Sequence, residues 1–177
     1  MLSDVYINDL IVLCCSGSIC APVELNAFPP LVPSTNIFDA AQTIKQWLKD
    51  DRVGWIHFAT ECKTYSAGRN DSDGGPRALR DEQGNALPKL SQHEQALVDN
   101  GDALLKVTVD LMFIAHKHHA IVTLENPVKS KMWETLSMRI MHANTHMQEI
   151  VFDQCATGAL WQKRTTILTD RPDWFTN

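Results

Sequence analysis

Short, unbroken apolar runs alternate along this chain with stretches whose apolar residues recur every three or four positions. Leu10-Ile11-Val12-Leu13-Cys14-Cys15 is a run of the first kind and stops at Ser16-Gly17-Ser18. It predicts a buried strand closed by a tight turn. A helix opening near residue 18 is held to its first turn by Pro22 and ended by Pro29, Pro30 and Pro33, because proline removes a helical hydrogen bond and clashes with the preceding turn. Residues 39–49 place Ala40, Ile44, Trp47 and Leu48 at helical spacing. Val53-Gly54-Trp55-Ile56-His57-Phe58-Ala59 reads as a second strand.

Residues 60–90 form a long polar stretch containing Gly74-Gly75-Pro76 with Arg77, Arg80 and Lys89. A loop of this length inside a compact domain is usually a functional one. Ser91 and Glu94 have capping-box spacing and open a helix running to about His118, with a break or kink expected at Asn100-Gly101. Ala120-Ile121-Val122-Thr123-Leu124 is a third strand, leading into Glu125-Asn126-Pro127. Residues 129–143 form a helix expected to bury Met132, Trp133, Leu136, Ile140 and Met141, and residues 148–152 and 165–169 give two closing strands.

Strands alternating with helices imply an α/β fold, a mostly parallel sheet with helices on both faces and a terminal hairpin. Ligands of such sheets gather at the carboxyl ends of the strands. The unusual polar groups fall there: Ser16-Gly17-Ser18, Thr60-Glu61-Cys62 and Glu125-Asn126-Pro127. The sequence thus predicts an active-site rim along one edge of the sheet.

Composition narrows this picture. The chain's 177 residues suit one domain spanning 1–177. Its five cysteines are odd in number and contain no CxxC pair, the N-terminus lacks a basic leader, and no apolar run is long enough to span a membrane. An intracellular protein, of cytoplasm or nucleus and without a membrane partner, is expected. The net charge of −5 lacks the basic surplus of a compact nucleic-acid binder, so any such site has to be a local basic patch. His116, His118 and His119 cluster near a helix end, and His142 and His146 are four apart. Neither group has the convergent set of ligands a zinc site needs, and histidine is favoured at helix C-termini in any case. No metal is expected. Trp161 and Trp174 are candidates for a base-stacking platform.

Three motifs together resemble the C5-cytosine DNA methyltransferases. Glu61-Cys62-Lys63-Thr64-Tyr65-Ser66 is similar to the family's Pro-Cys-Gln-x-Phe-Ser, Glu125-Asn126-Pro127 to its Glu-Asn-Val, and residues 156–164, ending Gln162-Lys163-Arg164, to its Tyr-Gly-x-Pro-Gln-x-Arg. Gly74-Gly75-Pro76-Arg77-Ala78-Leu79-Arg80 looks like a loop of a divergent, stand-alone branch of that group.

The resemblance implies a shortened Rossmann-like methyltransferase core that uses S-adenosylmethionine. In that chemistry a thiolate adds to cytosine C6, and the resulting enamine attacks the methyl group through C5. Cys62 would be the nucleophile and Glu125 the carboxyl group at N3 and the exocyclic amine. Asn126 would fix the turn carrying Glu125, and Arg164 would hold the base or the loop. Ser16, Gly17, Ser18 and Asp39 would meet the cofactor. Ser66, Arg77, Arg80 and Gln162 would meet nucleic acid, DNA before RNA, with the base flipped out of any duplex.

The chain also departs from the family. Thr60 and Glu61 replace two prolines, Thr166 replaces a second arginine, and the second strand with its acidic ribose ligand is missing. The family's target-recognition domain, which lies beyond residue 177, is expected from a partner protein if the chain reads DNA sequence. These departures define the alternative: a lapsed methyltransferase acting as a binding module for protein or nucleic acid.

Overall fold

The computed structural model describes residues 11–14, 37–69, 75–157 and 163–175. Strand β1 (Ile11–Cys14) is followed by helix α1 (Ile37–Lys49), strand β2 (Trp55–Phe58), helix α2 (Gln92–Lys117) and strand β3 (Ile121–Pro127). A 3-10 turn (Lys131–Glu134), helix α3 (Leu136–Thr145) and strands β4 (Gln148–Asp153) and β5 (Arg164–Thr169) complete the fold. It is a mixed α/β fold.

The strands lie in the order β1-β2-β3-β5-β4. Only β2 and β3 pair in parallel; β1 with β2, β3 with β5, and β5 with β4 are antiparallel. The expected mostly parallel sheet is thus corrected to a mostly antiparallel one, while the terminal hairpin is present as β4 and β5. The reason is the position of β5. It returns between β3 and β4, so β4 runs in the same direction as β2 and β3 without touching either.

One face of this sheet carries the core. Ile56 and Phe58 of β2, Val122 and Leu124 of β3 and Leu168 of β5 pack with Ile44 and Leu48 of α1, Leu105, Leu111 and Met112 of α2, and Met138 and Met141 of α3. Side chains alternate across a strand, so Trp55, His57, Thr123, Glu125 and Ile167 belong to the other face. The described helices gather on the core face, not on both faces as expected.

The capping box of α2 forms as predicted. Ser91 Oγ accepts from the Glu94 N–H, and the Glu94 carboxylate accepts from the Ser91 N–H at 2.8 Å. No break follows at Gly101, and α2 is continuous. Gly101 serves close approach instead: a Cβ there would lie 2.6 Å from Thr64 Oγ1 and 3.1 Å from Arg80 Nη2. The helix expected over residues 129–143 is divided at Thr135, and its phase differs from the prediction. Met132 and Met141 are buried, but Leu136 and Ile140 are 72% and 46% exposed. Among the described residues, no helix is long and apolar enough to cross a membrane.

Candidate active site

Because β2 and β3 run side by side in the same direction, the residues that follow β2 come to lie beside the end of β3. Cys62 is therefore placed near Glu125-Asn126-Pro127, and these residues are not a turn after the strand but its final residues. The segment bearing Cys62 is fastened at several points. Asn126 Nδ2 donates to the Thr60 carbonyl at 2.7 Å. Thr108 of α2 donates to the Leu104 carbonyl at 3.0 Å and so accepts the Thr60 hydroxyl at 2.8 Å. Tyr65 donates to Asp102 at 2.8 Å, and its carbonyl accepts from the Lys131 N–H at 2.8 Å. Asn126 thus fixes the loop of Cys62 at least as directly as it fixes Glu125. Its own Oδ1 is buried without a hydrogen-bond partner among the described residues, an arrangement that costs about 1–3 kcal/mol unless a group satisfies it.

Three chemically distinct groups meet here. Glu125 is part-exposed on β3, and Lys163 Nζ lies 3.2 Å from its Oε1. Cys62 is half-buried, and its thiol responds electrostatically to both. Burial is the largest influence and pushes the thiol up. The Lys163 ammonium pulls it down, followed by a backbone hydrogen bond, while Glu125 and Glu61 push it up further. The net direction is upward, so the resting form at neutral pH is the thiol. Glu61 is itself paired with Lys63 at 2.7 Å.

The cation beside Glu125 is Lys163, while Arg164, expected to hold the base or the loop, stands elsewhere. Strand parity explains this. Glu125 pairs with Ile167 of β5, so residues 167, 165 and 163 share its side of the sheet, and residue 164 falls on the other. Arg164 is exposed at the start of β5, pairs in register with Asp153, and its carbonyl accepts from the Val128 N–H at 3.2 Å. Parity also brings in His57, which the motifs did not single out. It pairs with Thr123, two residues before Glu125 on the same face.

The expected nucleic-acid residues divide. Ser66 closes a local turn by accepting from the Gly68 N–H at 3.1 Å. Arg77 is exposed, 3.9 Å from Glu94. Arg80 is corrected to a structural role: only 2% exposed, it donates to Thr64, Gly84, Val98 and Asp102 and stacks over Tyr65 with 3.8 Å to the ring centroid. No phosphate reaches a guanidinium spent in this way. Gln162 lies outside the described residues, as does Trp161. Trp174 rests edge-on against Trp55 at 5.8 Å.

The expected cofactor residues Ser16, Gly17 and Ser18 also lie outside the described residues. Asp39 belongs to the first turn of α1. Cys14, the last residue of β1, pairs with Trp55, the first of β2. Strand β1 therefore ends at the edge of the sheet opposite Cys62, because the two strands are antiparallel. The described residues at the Cys62 end therefore do not fit S-adenosylmethionine. Among the described residues, no group of three or more His, Cys, Asp or Glu side chains is placed to hold a metal. Compared with known proteins, the chain matches no family model, no curated protein and no solved structure.

Proposed function

We propose that this chain adds the Cys62 thiolate to C6 of a cytosine ring, the step with which a C5-cytosine methyl transfer begins, on a mixed α/β core. The observation that carries the reading is the placement of Cys62 just after β2 and of Glu125 near the end of the adjacent parallel β3, with Lys163, just before β5, paired to Glu125 at 3.2 Å. A nucleophile, a carboxyl group and a cation are the set that such an addition uses. The S–C6 bond forms as the C5=C6 electron pair moves onto C5. Glu125 bonds the exocyclic amine and N3 as charge builds on the ring. Lys163 favours the thiolate and holds Glu125 in place. DNA is the favoured substrate, with Arg77 and Ser66 on the loop that faces it.

Addition can be tested without the methyl donor. A ring whose C5 has become nucleophilic picks up a deuteron there from heavy water. Loss of the original C5 hydrogen to solvent and departure of the thiolate then restore the base. Deuterium entering C5 of cytosine in a single-stranded oligonucleotide, and its loss in Cys62→Ala, is the expected result. No exchange at any pH between 6 and 9 (roughly the range spanning a cysteine's ordinary titration) would sink the reading.

A second reading, the lapsed methyltransferase serving as a binding module, is favoured by the upward push on the Cys62 thiol from burial, Glu125 and Glu61. It expects Cys62→Ala to leave the biological activity intact. A folded but inactive Cys62→Ala chain refutes it.

A further inference from the structure

Strand β4 is the outer strand of the sheet, and two backbone hydrogen bonds define what its free edge presents. The Gln154 N–H donates to the Lys163 carbonyl at 3.0 Å, which makes residues 154 and 163 a hydrogen-bonded pair in the register of β4 with β5. Such pairs alternate with non-bonded ones in an antiparallel ladder, so Ile150 and Phe152 also bond to β5. Glu149, Val151 and Asp153 then turn their N–H and C=O groups outward. The Val128 N–H bond to the Arg164 carbonyl, at 3.2 Å, agrees: it turns residues 164, 166 and 168 of β5 toward β3 and away from β4. Among the described residues, no strand pairs with the outer edge of β4.

Native edges are usually blunted by proline, lysine, a bulge or shortness. Residues 148–153 contain neither proline nor lysine, and their six pairs with β5 run without a bulge. Ile150-Val151-Phe152 fills the middle of the strand, and Val151 is 44% exposed. Val151 pairs with Thr166, two residues from Leu168, so it points to the face that carries the helices. The exposed Leu136 and Ile140 of α3 belong to that same side of the sheet. The charges on the edge are both acidic, Glu149 and Asp153, one on either side of Val151.

We infer that the β4 edge is a docking site for an extended segment of a partner protein, added antiparallel to β4 as a sixth strand, with Lys or Arg on both sides of three apolar residues. Side chains directly opposed in an antiparallel pair lie about 4.5–5.5 Å apart at Cβ and stabilise the pair when their charges are opposite. Here Glu149 and Asp153 oppose the two basic residues, Val151 the central apolar one, and Ile150 and Phe152 the two on the far face. Main-chain bonds to Glu149 and Val151 supply affinity, and the spacing of acid, apolar and acid supplies selectivity. The same charges disfavour a second copy of this chain. Two β4 edges centred on Val151 set Glu149 of one against Asp153 of the other, and each chain carries a net charge of −5. The edge stands apart from the chemistry at Cys62 and keeps its role whether or not the thiol reacts.

Hydrogen exchange of the full 15N-labelled chain tests this, read amide by amide with and without the synthetic peptide Thr-Lys-Val-Val-Val-Lys-Thr. In the free chain the Ile150 and Phe152 amides should be protected, and those of Glu149 and Val151 should exchange roughly tenfold faster or more. Millimolar peptide should slow Glu149 and Val151 selectively. A peptide with Glu in place of both Lys should bind roughly tenfold more weakly, and Glu149→Lys should narrow or reverse that preference. Val151→Pro should fold as the parent does, because the N–H it removes takes no part in the pairing with β5, and it should lose the peptide. No gain of protection at Glu149 and Val151 overturns the inference, and so does equal affinity for the two peptides. Protection of those two amides that rises with protein concentration alone assigns the edge to a second copy and also overturns it. If Val151→Pro does not fold, the peptide preference of Glu149→Lys decides.

Discussion

Arg80 and Lys163 each lie within hydrogen-bond reach of a carboxylate, Asp102 at 2.8 Å and Glu125 at 3.2 Å, yet their side chains are 1% and 39% exposed. Arg80 is walled in. Its guanidinium bonds two backbone carbonyls, a threonine and the aspartate, and lies flat on Tyr65. Such a site has no capacity left for a ligand; its interaction energy goes into holding Thr64, Tyr65 and Gly84 against Val98 and Asp102 of α2. Lys163 is half-open, and its partner Glu125 shares a sheet face with the half-buried His57 and lies on the strand beside the one that leads to Cys62. Saturated polar clusters stabilise, and unsaturated ones are available for chemistry. The two clusters are joined, because Thr64 and Tyr65 belong to the first and lie two and three residues after Cys62 of the second.

The largest effect should come from breaking the closed cluster. Arg80→Ala strands the Val98 and Gly84 carbonyls and should cost about 3–5 kcal/mol in urea unfolding, the scale of removing one partner of a buried ionic network. A loss below about 1 kcal/mol would refute the view that this cluster anchors the loop. Next comes Gly101→Ala. Helix propensity alone would stabilise by about 1 kcal/mol. The 2.6 Å approach to Thr64 Oγ1 should reverse the sign to a net loss of about 1–3 kcal/mol, and a more stable variant would show that the loop does not press on the helix. Ser91→Ala, which removes the α2 cap, should cost about 1 kcal/mol, read from the thermal midpoint.

Lys163→Met should cost the least stability, under about 1 kcal/mol for a part-exposed pair, while altering reactivity. Burial already holds Cys62 above the ordinary thiol range, so iodoacetamide should modify it more slowly than a free cysteine at pH 7. The gap should close as pH rises through the thiol's titration, because only the thiolate reacts. Removing the ammonium should slow the reaction further at pH 7. Peptide mapping of Cys62 checks both, and an unchanged rate would separate Lys163 from the thiol.

The sequence made some of this legible and hid the rest for physical reasons. Strand and helix positions followed from apolar rhythm, and the α2 cap from two residues three apart. The meeting of Cys62 with Glu125 followed from placing both at strand ends. Strand order and direction did not follow, because apolar runs say that a strand is buried and not which neighbour it takes. That gap hid the cation beside Glu125: once Glu125 is known to face Ile167, counting by twos along β5 gives Lys163. His57 was missed for the same reason, since its neighbours on the sheet face come from β3. Arg80 looked like a surface cation because lone arginines in polar loops usually are. Only its contacts with Gly101 and Tyr65, both distant in sequence, bury it. The divided helix at Thr135 turned the expected apolar stripe, so Leu136 and Ile140 face outward.

The place of β5 has a consequence for how the chain is made. It is the last of the described strands in sequence, yet it lies between β3 and β4 and, among the described residues, is the pairing partner each has on that side. Until residues 164–169 have left the ribosome, β3 carries an open edge and β4 has nothing to pair with. Closing the sheet then joins residues 123–127 to residues 165–169, a long-range step of the kind that slows folding. A ribosome stalled before residue 163 holds a chain with its thiol and carboxyl group but neither the lysine that pairs with Glu125 nor a closed sheet. An unpaired edge in that state invites association with other nascent chains, so the same strand that completes the candidate site also ends the chain's most vulnerable period.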